Sequence, residues 1–393
     1  MTTNWVVKAI IVLILFKPTT SWANDIYISQ SGDNIDMTIV QDGENNVISS
    51  VAGNTRKAPI SGNNTNTTFT QTGDNNDIGV YMSAGNGQQT VTQTGNTNYA
   101  TSDCHGNNCS TTITQYGNNN SANLEFGNGG DSDQTGTITQ DGDYNAAGIE
   151  ANGDDNTFVI DQDGDNNAVG GITGAPITGD NNVLSITQNG DYMTFEGHLI
   201  GSNNSLTSFQ GGSANNSFIR VSTVGSNNTG DLRQGKRLDG NVDNNDSGNH
   251  EQYITVVGDG NTINTSQVNS NGANSDHHMA HIITGDSNTV SHEQFANNKK
   301  QGYIEITGDS NTVSLQQRNG ANHLADINLT GDDHTVTGTQ WGQGGAHNFT
   351  VDLTNSGGAY NMSTTQTSNT AQTYSLTGSC ATVGGCAVSV FQN

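Results

Sequence analysis

The sequence predicts an all-β fold, a β-solenoid of about 15 strand-turn-strand coils with internal Gln/Asn ladders, amyloid-like in its stacking. Three observations predict it. Glutamine closes a short β-like run at Gln71, Gln93, Gln115, Gln140, Gln162, Gln188, Gln210, Gln234, Gln267, Gln294, Gln317, Gln340, Gln366 and Gln392, with most steps between 22 and 27 residues. Glycine often stands nine residues before that glutamine, and the string Ile283–Ser291 returns unchanged at Ile306–Ser314. Apolar residues sit at even offsets before the glutamine, on the face it shares.

In chain order, the first element is an address. Lys8 precedes the apolar run 9–16, and Ser21-Trp22-Ala23 is a small-x-small cleavage site, so residues 1–23 read as a secretory signal peptide. The run is too short to cross a bilayer, and no later segment is apolar enough to do so. A secreted, extracellular or cell-surface location follows, without membrane insertion. Repeats begin almost at once after Ala23, and no charged capping helix is legible at either end, so bare coil ends are expected.

Each coil then reads as strand, turn, strand, turn. Ile28, Ile39, Phe69, Val91, Ile113, Ile138, Ile160 and Ile186 lie two residues before a glutamine. In later repeats Ile263, Val290, Val313, Val336, Met362 and Val388 lie four before it. The glutamine therefore points inward with the aliphatics, where an unpaired amide is expensive. Stacked on its equivalent one coil away, about 4.8 Å along the axis, each amide can bond the next and gain about 1 kcal/mol. Gln-x-Gly-x-x-Asn-x-Ala recurs in Gln93–Ala100, Gln115–Ala122 and Gln140–Ala147, where glycine supplies the positive φ and asparagine the cap of a turn. Beyond it Asn76, Ile78, Val80 and Met82 alternate inward, as do Asn120, Ala122, Leu124 and Phe126. Regular repeats fill 24–235, an insertion loop 236–250 carries the longest glutamine spacing, and divergent repeats fill 251–393.

Composition alone would suggest disorder. Hydrophobic residues are 30% of the chain and the formal charge is −26. The register argues against it, because a disordered chain has no reason to keep a block of fixed length. Removing Lys8 and Lys17 with the signal leaves fewer still of the 11 basic residues against 37 acidic ones, so nucleic acid is not an expected partner.

At Gln-x-Gly-x-x-Asn, present from Gln41, Gln71, Gln93, Gln115, Gln140, Gln162 and Gln210, the sequence resembles the curlin repeat of curli fibre subunits. In that family a second glutamine stands eleven residues from the first. Gln30 and Gln41 keep the spacing, whereas Cys104 and Phe126 stand there in later coils. The resemblance implies a secreted structural subunit of an extracellular amyloid fibre, in cell adhesion and biofilm matrix. It implies ladder residues Gln30, Gln41, Gln71, Gln93, Gln115, Gln140, Gln162, Gln188 and Gln210, with Asn46, Asn76, Asn98, Asn120, Asn145 and Asn167. As partners it implies further copies of the chain, a curli-type nucleator and outer-membrane secretion machinery. The chain has more repeats than the usual curli subunit.

Other chemistry is thin. Cys104 and Cys109 form one local pair and Cys380 and Cys386 another. Two turn-closing disulfides are expected among three formal pairings, with a Cys/His metal site at His105 as the alternative. Turns such as Gly153–Asn156 are acidic but lack the nine-residue period of calcium rolls. His277, His278, His281 and His292 crowd one region, and adjacent strand residues point to opposite faces, so no metal is expected. Thr68/Thr70, Thr90/Thr92, Thr112/Thr114 and Thr137/Thr139 form an exposed array, whose alternative reading is a monomeric adhesin or an ice-binding face. Val159/Asp161 interrupts it. No nucleophile–base pairing is legible, so no enzyme, catalytic residue or cofactor is expected.

Overall fold

Parallel pairing in register runs through the computed structural model, which describes residues 24–26, 29–32, 34–48, 59–82, 85–104, 107–126, 133–170, 176–212, 217–236, 238, 250–268, 277–296, 298–319, 322–352, 358–378, 380, 382 and 385–393. The expected signal peptide lies outside the described residues, as does most of the expected insertion loop. Among the described residues every regular element is a strand. The chain divides into two units, Met1–Leu184 and Ser185–Asn393, each a β-solenoid.

In the first unit the long strands Asp36–Asp42, Asn66–Thr72, Gln88–Thr94, Ser110–Tyr116, Thr135–Asp141 and Thr157–Asp163 stack one per coil. Their register sets Gln41 against Gln71, then Gln93, Gln115, Gln140 and Gln162. Short strands form the opposite wall: Val47–Ile48, Asp77–Gly79, Tyr99–Thr101, Ser121–Ala122, Ala146–Ala147 and Ala168–Val169. In the second unit eight long strands, from Ser205–Gly211 to Cys386–Gln392, repeat the arrangement, with Gln210, Gln234, Gln267, Gln294, Gln317, Gln340, Gln366 and Gln392 in one column.

Alternation explains the walls. The long strand Thr135–Asp141 alternates buried and outward residues along its length, as a strand with one face on a core must. Because the coils are in register, the interior is a set of columns of like residues: Ile39, Phe69, Val91, Ile113, Ile138 and Ile160 form one, all buried. Each such side chain removed from water contributes roughly 1.5–3 kcal/mol. Size is balanced between walls. Gly136 leaves room for Phe126, whose ring carbon lies 2.7 Å from where a Cβ would stand, and Phe126 stacks on Phe158 at 5.8 Å.

The coils differ from a plain two-strand winding in one respect. In several the second wall breaks and resumes as another short strand, as in Glu150–Asn152 beside Pro176–Thr178 and Leu199–Ile200 beside Thr223–Val224. This extra side affects Gln30. Its backbone pairs with Ile60, which bridges to Met82. The column eleven residues from the ladder glutamine is thus apolar, and Phe126, bridged to Ala151, continues that character. Among the described residues the coils carry one glutamine column where the curlin resemblance would allow two.

Candidate functional site: the amide ladders

The glutamine column is a continuous chain of hydrogen bonds within each unit. Gln41 Nε2 donates to Gln71 Oε1 at 2.7 Å, and the chain continues through Gln93, Gln115, Gln140 and Gln162 at 3.0, 2.9, 2.8 and 2.8 Å. Gln188 donates to Gln210 at 2.8 Å, and the second unit carries the chain on from Gln210 to Gln392 at 2.7–3.2 Å per step. All these amides are buried except that of the edge residue Gln392. In many coils the second N–H of the amide crosses to the facing wall: Gln93 Nε2 reaches Asp77 O at 3.1 Å, Gln115 reaches Tyr99 O and Gln140 reaches Ser121 O, both at 3.0 Å. One amide therefore ties its coil to the next and one wall to the other. The column is directional, since Nε2 always donates toward the C-terminal neighbour. Gln41 Oε1 is buried and has no hydrogen-bond partner among the described residues.

The asparagine column runs the other way. The backbone N–H groups of Asn76, Asn98, Asn120, Asn145 and Asn167 donate to the Oδ1 of Asn46, Asn76, Asn98, Asn120 and Asn145, at 2.9–3.0 Å. Each Nδ2 then reaches the glycine carbonyl of the next coil: Asn76 to Gly95, Asn98 to Gly117, Asn120 to Gly142 and Asn145 to Gly164, at 2.7–2.8 Å. This is why the turn needs glycine. Gly95 has φ +114° and its Cβ would lie 2.0 Å from Gly117 O, the carbonyl that Asn98 caps.

A second asparagine column stands at the other corner. Asn182 N–H donates to Asn156 Oδ1 in the first unit. In the second, Asn228, Asn261, Asn288 and Asn311 each donate to the asparagine before, at 2.9–3.0 Å. The string repeated at Ile283–Ser291 and Ile306–Ser314 contains two of these residues, Asn288 and Asn311, although the ladder set read from the sequence did not include them. Of that set, the structure joins all but Gln30 in the two ladders, and describes nothing of the Gln30 side chain.

The cysteines join locally, Cys104 to Cys109 and Cys380 to Cys386. His105 lies outside the described residues. Among the described residues no group of three or more His, Cys, Asp or Glu is placed to hold a metal ion. The threonines register as two outward columns, Thr68-Thr90-Thr112-Thr137 and Thr70-Thr92-Thr114-Thr139, and pairing with Val159 and Asp161 ends both.

Parallel in-register coils stapled by internal amide columns define a cross-β solenoid. Residues 132–164 of the chain match the family model of the curlin associated repeat. That segment contains the long strand Thr135–Asp141, the turn from Gln140 to Asn145 and the next long strand as far as Gly164, so one full winding with both ladder positions. The match supports assignment to the curlin-repeat family, and the matched segment includes the Gln140–Ala147 copy of the motif that carries the resemblance in sequence. No curated protein matches the chain.

Proposed function

We propose that the chain is a secreted structural subunit of a curli-like extracellular amyloid fibre that serves cell adhesion and biofilm matrix. The observation that carries the reading is the uninterrupted, directional glutamine column within in-register parallel strands. That arrangement is the internal form of a cross-β fibre, in which each identical side chain is satisfied by its copy above and below. A further coil of the same kind extends it without new chemistry, so a second copy of the chain is the natural partner. The curlin match and the solenoid fold favour a structural, non-enzymatic role. Export through the expected signal peptide, a curli-type nucleator and outer-membrane secretion machinery belong to the same proposal. The excess of acidic residues would keep monomers apart at low salt and let nucleation or ionic strength govern growth.

The test is assembly of the purified chain lacking residues 1–23, followed by amyloid-dye binding and electron microscopy with and without seeds. Fibres with strand spacing near 4.8 Å in diffraction are expected. A chain that stays monomeric at every salt concentration and with every seed overturns the fibre and leaves a monomeric adhesin.

A further inference from the structure

The second unit fills its ladder corners with different chemistry. Where the first unit carries Asn46, Asn76, Asn98, Asn120, Asn145 and Asn167, pairing of the short strands places His250, His277, Lys300 and His323 in one column. His347 follows, its ring stacked on His323 at 5.0 Å. All five side chains are buried. At the other corner, the column through Asn288 and Asn311 continues into His334, whose backbone N–H donates to Asn311 Oδ1 at 2.9 Å.

These imidazoles take over the asparagine bonds. His277 Nε2 lies 3.2 Å from Ala296 O, two residues after Gln294, the place in the next coil that Gly95 O holds for Asn76. His323 Nε2 lies 2.9 Å from Arg318 O. The backbone N–H of His347 donates to His323 Nδ1 at 3.4 Å, and that of Tyr360 donates to His334 Nδ1 at 3.0 Å. A nitrogen that accepts carries no proton, so both rungs require the neutral ring with its hydrogen on Nε2. Between the walls His281 and His292 meet edge to face at 5.4 Å, both fully buried.

We propose that the coils carrying His277, His281, His292, His323, His334 and His347 form an acid-labile section of the second unit, in which protonation of the ladder and core histidines cuts the rungs between coils while the asparagine-held first unit stays closed. The proposal does not depend on fibre formation.

The surroundings offer little to hold the added charge. The long strands present the neutral amides of Gln267, Gln294, Gln317 and Gln340 toward the short-strand wall. The charged neighbour of the histidine column is Lys300, within the column itself, which disfavours further positive charge. Arg318 turns its guanidinium to Glu293, and Glu251 approaches the outer-facing His278. Asp332 and Asp333 beside His334 are the carboxylates that favour its charged form, yet burial outweighs them.

Burial dominates throughout. It pushes His292 and His323 down to about 4 and holds His277 and His281 well below the usual imidazole range, with His250 and Lys300 adding to it at His277 and His292 at His281. His334 and His347 are lowered for the same first reason. A histidine lowered on folding takes up its proton in the unfolded chain first. Its stabilisation is complete above about pH 6.5 and is lost as pH falls from there through the folded value near 4. Lys300, lowered to about 7, loses its share between its ordinary 10.5 and neutrality, so it is spent before the histidines act. In the first unit the half-buried Asp77 and the outward Asp161 are raised, loss of water around the carboxyl being the first cause in both, so the folded first unit gains relative stability on acidification.

Hydrogen–deuterium exchange of the full chain at pH 7.5 and 4.5, normalised to intrinsic rates, reads this directly. Opening of the His347 and Tyr360 amides should rise at least about tenfold, the equivalent of one pKa unit, while the Asn98, Asn120 and Asn145 amides change less than about threefold. Equal changes in both units, or none, overturn the proposal. The double variant H323N/H334N restores rungs that do not titrate and should remove most of the acid response at those two amides. A double variant that opens as much as the unaltered chain also overturns it. Should the variant fail to fold, nitrogen NMR of the unaltered chain at pH 7.5 decides: His323 and His334 must carry their proton on Nε2, and a proton on Nδ1 of either sinks the proposal.

Discussion

The two units solve one backbone problem with two rung chemistries. Both wind parallel strands in register around a glutamine column, and in both each glutamine bonds its successor. The first unit holds its short-strand corner with amides, each able to accept through Oδ1 and donate through Nδ2 without change of charge. The second uses imidazoles, which do both only while neutral. The lesson is that a coil demands a donor and an acceptor at a corner, not a particular residue. What the substitution changes is the dependence on pH, with geometry nearly constant.

The largest effect should come from the column the units share. Replacing Gln115 by Glu removes the donors to Gln140 Oε1 and Tyr99 O and buries a charge against neighbouring amides. Breaking buried charge compensation typically costs about 3–5 kcal/mol. Gln115→Leu leaves unpaired donors and acceptors on Gln93 and Gln140, at about 1–3 kcal/mol each. Urea unfolding followed by circular dichroism should show both losses, with glutamate the worse. Gln317 in the second unit should respond alike, and unequal responses would break the comparison at its common element.

Next comes the glycine turn. Gly95→Ala places a methyl on the Gly117 carbonyl in a left-handed backbone, where the nearest atoms are backbone and cannot rotate away. Strain of this kind is worth about 1–3 kcal/mol, and displacing the carbonyl also weakens the Asn98 bond to it. The second unit offers the matched control. Gly285 has φ +127° and its Cβ would meet Gly308 O at 2.2 Å, so Gly285→Ala should cost a similar amount at the other corner. The same denaturation series checks the pair.

Each unit also has one local disulfide, and in each a cysteine stands beside a long strand: Cys109 precedes Ser110 and Cys386 opens Cys386–Gln392. Reduction removes about 2 kcal/mol of loop-entropy stabilisation per bond. A single smaller step in the unfolding midpoint, common to both units, is the expected result of adding reductant at pH 8.

Much of this was legible from residue spacing. The glutamine column, the inward face of Ile113 and Ile138, and the Gly-x-x-Asn turns all follow from a fixed count back from glutamine, because the block from turn to glutamine tolerates no insertion. The histidine column was not legible. It lies on the far side of the turn, where insertions change the count: His277 stands ten residues after Gln267, whereas His323 stands six after Gln317. Only pairing of His250 with His277, and of Lys300 with His323, reveals a column. Gln30 misled for a related reason. Its spacing to Gln41 matches a curlin pair, but register is decided by the neighbouring coil, which offers Ile60.

The smallest effect at neutral pH, and the sharpest test of the comparison, is to move the second unit's chemistry into the first. Asn98→His replaces an amide that accepts from Asn120 N–H and donates to Gly117 O. If the corner asks only for a donor and an acceptor, a neutral imidazole should serve there at a cost of about 1 kcal/mol, the worth of one imperfect hydrogen bond. The variant should then acquire what the unaltered first unit lacks. A buried imidazole protonates later than in the unfolded chain, so stability should fall as pH drops below about 6.5, by up to about 1.4 kcal/mol for each unit of depression. Unfolding measured at pH 7.5, 6 and 5 separates the outcomes. A pH-independent loss would mean that the asparagine is required for its shape. A growing loss would mean that the corner is a hydrogen-bonding position, which either chemistry fills and only one makes sensitive to acid.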